Sequence, residues 1–363
     1  MYPRVYLVLA EYVFRHSLAL AILIVVLVLG CGVYGVALAY ALGIVAIPFL
    51  SVYFLNRILP GFVGGIKATY MRKRLFLFSW PLLFVGIVNL VLGSVDTLMI
   101  GWFSTSYWVG IYRASLATTE LVWIVPSSFA YISVSVLTAL YAQQRVDDLN
   151  ETSHSITKWI LLLVLLPVLL LITFSREILG VFGAEFRAGA TALSFLAAGH
   201  LIASVCKPAT YLLLAMGRTK LILLNICLGA AVNIGLNLYL IPIYNITGAA
   251  IATAASLALV DILAFLEIYK LEHWQPLRLG ECLKILASAP AATYFVYLLA
   301  RVIFGVAPLY ALPGLFLLSA GMYFFLLLVS RLFDAKDLAI MLMVEERTGL
   351  MLGLIKRIIR RLI

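Results

Sequence analysis

Trp159-Ile-Leu-Leu-Leu-Val-Leu-Leu-Pro-Val-Leu-Leu-Leu-Ile172 contains no charge, and its only polar side-chain atom is the indole nitrogen. It lies within a stretch, 156–174, long enough to cross a bilayer, which takes about 20 mostly apolar residues for about 30 Å of hydrocarbon. Nine further stretches read the same way, at 15–31, 34–55, 76–101, 108–141, 188–215, 219–241, 248–268, 283–304 and 309–330. They are too long for barrel strands, and helices satisfy their own backbone groups in lipid. The fold class is therefore all-α, a polytopic membrane helix bundle with about ten transmembrane helices. Composition agrees: 64% of the 363 residues are hydrophobic and 12% charged, and mean hydropathy is +1.12. A soluble domain of this length cannot bury that much apolar surface.

The basic residues sort by loop. Arg176 and Arg187 lie in one set of alternate loops, and Arg113, Lys207 and Arg301 lie within spans. The other 21 of 26 Lys and Arg, Lys158 among them, fall in the opposite set of loops, at the span ends that border those loops, and at the two ends of the chain. Such a bias marks the cytoplasmic side. It predicts a multi-pass protein of the cytoplasmic (plasma) membrane with both termini cytoplasmic. The formal net charge of +10 is then a topology signal, and nucleic-acid binding, which wants a basic surface on a soluble fold, is not expected. The final residues, Gly353 to Ile363, put apolar residues on one face and basic residues on the other. They read as a tail lying on anionic inner-leaflet lipid.

Catalytic chemistry finds no foothold. There is no Walker A pattern and no GxGxxG. Cys31, Cys206, Cys227 and Cys282 form no CxxC pair, and the four histidines are scattered. A disulfide framework, a metal site and a cofactor are therefore not expected, and the protein is not read as an enzyme. A glycosyltransferase would want a metal-binding DxD-like cluster or acidic loops.

Gly35-Val-Ala-Leu-Ala-Tyr-Ala41 and Gly248-Ala-Ala-Ile-Ala-Thr-Ala254 match in Gly and Ala at alternate positions. Each opens a span after a short uncharged loop, and the second span is the sixth after the first. A parallel six-helix repeat of the kind found in transporters gives this offset. On that reading 1–57 holds the last two helices of a truncated N-terminal lobe, 58–75 a basic cytoplasmic linker, and 76–270 a complete six-helix lobe. Two additional helices at 283–330 and a basic amphipathic tail at 331–363 follow.

Several ordered stretches carry a family resemblance. They are Phe78-Ser-Trp-Pro81, Asp96-Thr-Leu-Met-Ile-Gly101, Val109-Gly-Ile-Tyr-Arg-Ala114 and Phe182-Gly-Ala-Glu-Phe186. Leu214-Ala-Met-Gly-Arg-Thr-Lys220 and Asn237-Leu-Tyr-Leu-Ile-Pro242, leading into Gly248, complete the set. In order and spacing the chain resembles the polysaccharide (O-antigen/oligosaccharide) flippases of the multidrug/oligosaccharidyl-lipid/polysaccharide exporter superfamily. The resemblance implies a MATE-like architecture of two six-helix lobes plus two C-terminal helices. Relative to it, four N-terminal helices are missing, to be supplied by an upstream segment or by a second chain. It also implies flipping of a lipid-linked oligosaccharide or polysaccharide precursor by alternating access. A cation-coupled multidrug exporter of the same superfamily and a non-transporting fragment are the alternatives.

Charges inside spans are costly and so mark function. At about 1.5 Å per residue, Asp96 lies about 9 Å from the outer end of its helix and Arg113 about 8 Å from the outer end of the next, so the two are expected to be within reach of each other. Glu120, seven residues past Arg113 on the same face, sits near mid-depth, as do Lys207 and Asp261, and a Glu120–Lys207 pair is one reading. Arg113, Lys207, Glu120, Asn233 and Asn237 are the candidate substrate-binding residues, with the cations attracting the phosphate of a lipid-linked sugar. Asp96, Glu120 and Asp261 are candidates for coupling to H+ or Na+. Pro126 and Pro208 are candidate hinges, because a proline removes a helix hydrogen bond.

Overall fold

The computed structural model describes residues 72–272, 278–305 and 308–333 with Asp337, and isolated positions (20, 21, 24, 35, 41, 52 and 53) before them. The first two predicted spans, the earlier repeat copy and the amphipathic tail lie largely outside these residues. The chain divides into two units, Met1–Arg72 and Lys73–Ile363, and the second is described by itself.

Its α-helices are α1 (Arg72–Phe103), α2 (Ser106–Glu120), α3 (Ile124–Ala142), α4 (Val146–Thr173), the short α5 (Ser175–Leu179), α6 (Ala190–Ala215), α7 (Thr219–Tyr244), α8 (Ile246–Glu272), α9 (Leu279–Phe304) and α10 (Leu312–Val329). Among the described residues eight segments are long and apolar enough to cross a membrane, and they coincide with the eight predicted between 76 and 330. The chain is thus a multi-pass membrane protein with an all-α fold. α2 and α3 form one such segment, Ser106–Ala142, joined by a 3-10 turn at Leu121–Trp123. That turn stands directly before Pro126, whose ring nitrogen cannot bond the Val122 carbonyl.

Tight turns hold the hairpins. Gln144 (φ 56°) ends α3, Gly217 (φ 73°) ends α6 and Asn245 (φ 51°) ends α7, each turning the chain where a helix must stop. Gly217, within the quoted Leu214–Lys220 stretch, has open space for a Cβ, so backbone conformation alone favours glycine there.

Small residues bring the helices of the lobe together, as lipid tails offer no hydrophobic force to do so. A Cβ on Gly199 of α6 would fall 2.4 Å from the Cα of Ala254 in α8. One on Gly248 would meet the Leu240 carbonyl at 2.2 Å, so the Gly248–Ala254 stretch is a packing surface. α7 buries a polar stripe: Asn225, Gly229, Asn233, Asn237 and Ile241, four apart, are buried, while Leu224, Leu228, Val232, Ile234, Leu238 and Ile243 are exposed.

α4 is the hub. Most of its apolar stretch is buried, whereas almost all of that of α1 is not. Val164 and Val168 face the lobe core with Leu212 and Ile268. Leu162, Leu165 and Leu166 face α9 and α10 with Ala289, Val296 and Leu327. α4 also begins at Val146, ten residues before the predicted span, and Asp147 and Asp148 in its first turn suit the helix dipole. Lys158, read from sequence as a basic loop residue, is buried within α4. Its Nζ reaches Asp337 Oδ2 at 2.6 Å and Glu281 Oε2 at 3.3 Å, and His154 Nε2 lies 3.2 Å from the same Glu281 oxygen. These contacts tie the C-terminal helix pair to the lobe. α1 likewise starts at Arg72, inside the segment read as linker.

Candidate functional site

Two polar clusters lie on α8, around Thr253 and Asp261, eight residues or about 12 Å apart along the axis.

In the first, Asp96 of α1 is 4% exposed. Asn237 Nδ2 of α7 donates to its Oδ1 at 2.6 Å, and the Tyr112 hydroxyl of α2 donates to its Oδ2 at 2.9 Å. The Thr253 hydroxyl donates to Oδ2 as well and sits 3.2 Å from the Tyr112 hydroxyl. Asn237 Nδ2 also bonds Asn233 Oδ1 at 3.0 Å, and Asn233 reaches Ser256 at 3.5 Å. The Asn237 Oδ1 acceptor has no partner among the described residues. Three helices thus donate, through neutral groups, to one carboxylate carried by a fourth. The expected proximity of Asp96 to Arg113 does not become an ion pair. Tyr112, one residue earlier and about 100° round the helix, faces Asp96, and Arg113 is exposed.

In the second, Lys207 Nζ of α6 lies 3.3 Å from both oxygens of Asp261, whose side chain is 2% exposed. The Thr210 hydroxyl, one turn on, donates to Asp261 Oδ1 at 2.7 Å. The ammonium also stands 4.9 Å from the centre of the Trp123 ring, a cation–π contact. Trp123 meets His200 edge-on at 6.1 Å, and neither nitrogen of that buried imidazole has a hydrogen-bond partner among the described residues. Lys207 is therefore paired with Asp261, not with Glu120. A lone buried charge in lipid is expensive, and the pair removes that cost.

Glu120 and Arg113 stand on one face of α2 with Gly110 and Ala117, and all four are exposed. Pro126 is buried in the first turn of α3, and the Tyr211 hydroxyl of α6 donates to its carbonyl at 2.6 Å. Pro208 lies within an unbroken α6, directly after Lys207. No group of three His, Cys, Asp or Glu with metal-binding geometry occurs among the described residues. Sequence reasoning passed over Tyr112, Thr253, Thr210 and Tyr211. The signal for Thr253 was a hydroxyl in the small-residue run Ala249–Ser256, where it is the one side chain able to hydrogen-bond before Ser256.

Comparison with known proteins bears on what this arrangement belongs to. The family described as "Polysaccharide biosynthesis protein" matches residues 9–138, and the family described as MatE matches 81–239. Two Haloferax volcanii proteins are similar. "Probable low-salt glycan biosynthesis flippase Agl15" is 29% identical over 237 residues, 63% of this chain and 47% of that one. "Probable flippase AglR" is 27% identical over 176 residues, 47% of this chain and 36% of that one. The chain spans about half the length of the curated relatives it matches, or less. In fold it resembles "Lipid II flippase MurJ, inward closed conformation", with a TM-score of 0.61 and 14% identity over 86% of this chain and 65% of that one. The two family matches overlap over residues 81–138, and both Haloferax volcanii relatives are named as probable flippases. Across residues 9–239 the chain is thus similar to polysaccharide-biosynthesis and MatE family members, and its fold is similar to that of a flippase of known structure.

Proposed function

We propose that this protein flips a lipid-linked oligosaccharide, or a related polysaccharide precursor, across the cytoplasmic membrane by alternating access, with the basic loops on the cytoplasmic side. The observation that carries this reading is the face of α2. Arg113 and Glu120 lie within a membrane-length helix, seven residues apart, on a surface the described lobe leaves open. Charges facing hydrocarbon cost a few kcal/mol each or more, so that face is assigned to a water-filled path. Arg113 meets the phosphate of the substrate there, and Lys207 assists when its pair with Asp261 opens. Such an opening is a two-state element that substrate binding can bias. Asn233 and Asn237 bond within the Asp96 cluster, which makes them framework for that cluster more than contacts to sugar.

Ion coupling is assigned to Asp96. Its own carboxylate and the hydroxyl and amide oxygens of its neighbours are hard donors that suit a proton or an alkali cation, and four helices meet there. The 3-10 turn before Pro126 is the hinge, with Tyr211 as its latch; Pro208 lies in a continuous helix and is a static kink.

The test is export of the glycan in cells carrying Arg113→Ala with Lys207→Ala at the native locus. Loss of surface glycan, with protein abundance in the membrane retained, supports the reading. Unchanged export removes the role of both cations.

A further inference from the structure

The basic residues of this chain avoid one side of the membrane, and the few that do not are brought together. Arg176 and Arg187 are the two cations of the sparse loops, and Arg301 lies four residues before Gly305 at the same end of α9. All three line one cavity of about 950 Å³, formed by the ends of α4 and α9, by α5 and by the turn before α6. Placing cations on this side works against the charge bias that orients the protein, so their convergence calls for a ligand.

The cavity is built for an anion. Three guanidinium groups and one carboxylate, Glu177, line it, a balance of three minus one, or +2. The three arginines are exposed and form no ion pair among the described residues. Arg187 is laid across Gly180, where an added Cβ would meet its Nε at 3.0 Å and the Arg176 carbonyl at 3.2 Å. This draws Arg187 toward α5. Arg301 stacks over Tyr297 with 5.6 Å between guanidinium carbon and ring centre. Apolar side chains line it as well: Phe174, Tyr297, Ala300 and Pro308, with the Phe174 and Tyr297 rings edge-on at 6.3 Å. Neither Asp96 nor Lys207 lines this space, so it is separate from the polar clusters of the lobe.

We propose that this cavity binds the phosphate of an anionic lipid at the membrane surface opposite the basic loops, with guanidinium forks on the phosphate and the aromatic side chains against the lipid body. Planar guanidinium groups match phosphate oxygens bidentately, and a lining that sets aromatic and aliphatic side chains beside three cations suits an amphiphile better than a free ion. The inference does not depend on what the protein transports.

Native mass spectrometry of the purified full chain tests it, with dioleoylphosphatidylglycerol, polyprenyl phosphate and inorganic phosphate as separate probes. Wild type and Lys220→Gln, an exposed cation elsewhere, are expected to retain a phosphate-bearing lipid at least about tenfold better than Arg176→Gln/Arg187→Gln/Arg301→Gln, since a charged hydrogen bond is worth about a factor of ten or more. Preference for one lipid over the other identifies bulk lipid or lipid carrier as the occupant. If the triple variant does not elute as a folded species, Arg301→Gln alone is read the same way, with a loss of about tenfold expected. Equal retention by wild type and the arginine variants overturns the proposal. Inorganic phosphate binding as tightly as either lipid overturns the lipid assignment.

Discussion

Asp96 and Asp261 are both carboxylates buried in membrane-length helices of one lobe, and the lobe treats them in opposite ways. Asp261 has its own cation, Lys207, and a hydroxyl from Thr210. Asp96 has three neutral donors from three helices and no basic side chain within ion-pair distance among the described residues. A carboxylate closed by a lysine can act as a lock between two helices. A carboxylate held only by dipoles leaves its balancing charge to a mobile species. The contrast is the reason for assigning ion coupling to Asp96 and opening of a pair to Lys207–Asp261.

The largest effect is expected at the lock. Lys207→Ala leaves Asp261 buried without a counter-ion and should cost about 3–5 kcal/mol, read as a lower midpoint of thermal unfolding in detergent. Adding Asp261→Asn should recover most of that loss. A Lys207→Ala protein as stable as wild type would break the comparison on this side. Asp96→Asn should be milder by the same measure, about 1–3 kcal/mol, since its amide oxygen still accepts from the Tyr112 and Thr253 hydroxyls while its NH2 faces the Asn237 amide that donated to the lost oxygen. On the proposed reading it nevertheless abolishes ion-dependent transport, so stability and activity should separate here as they do not at Lys207. Tyr112→Phe and Thr253→Val sharpen the point: each removes one interhelical hydrogen bond worth about 0.6–1.7 kcal/mol in a membrane, and each should shift the dependence of transport on ion concentration. The smallest change belongs to Tyr211→Phe, about 0.6 kcal/mol, accompanied by faster hydrogen exchange around the turn before Pro126.

Much of the lobe was legible in the sequence because lipid imposes a simple rule on length and polarity. Eight spans fall where apolar runs of the right length lie. The miss at α4 has a physical cause. Its first turns carry Asp147, Asp148 and His154, which a hydropathy reading assigns to a loop, although a helix can extend past the bilayer with no penalty. The choice of partners was less legible. Depth estimates brought Asp96 near Arg113 and Lys207 near both Glu120 and Asp261, but depth does not say which helices are neighbours or how each is rotated. A rotation of one residue separates Tyr112, which bonds Asp96, from Arg113, which is exposed. The pairing of Lys207 with Asp261 follows from the close approach of Gly199 to Ala254, a tertiary contact no single stretch encodes. Lys158 was read by its charge alone. The signal it offered was spacing, with His154 one turn earlier, so that both reach Glu281.

The most direct test of the transport reading is to follow lipid-linked glycan in cells from which this gene is deleted, using a membrane-impermeant lectin on intact cells and again after permeabilisation. The account predicts that deletion leaves lipid-linked glycan reachable only after permeabilisation, and that restoring the wild-type gene returns it to the outer surface. Glycan that reaches the outer surface of deleted cells at the wild-type rate would contradict it.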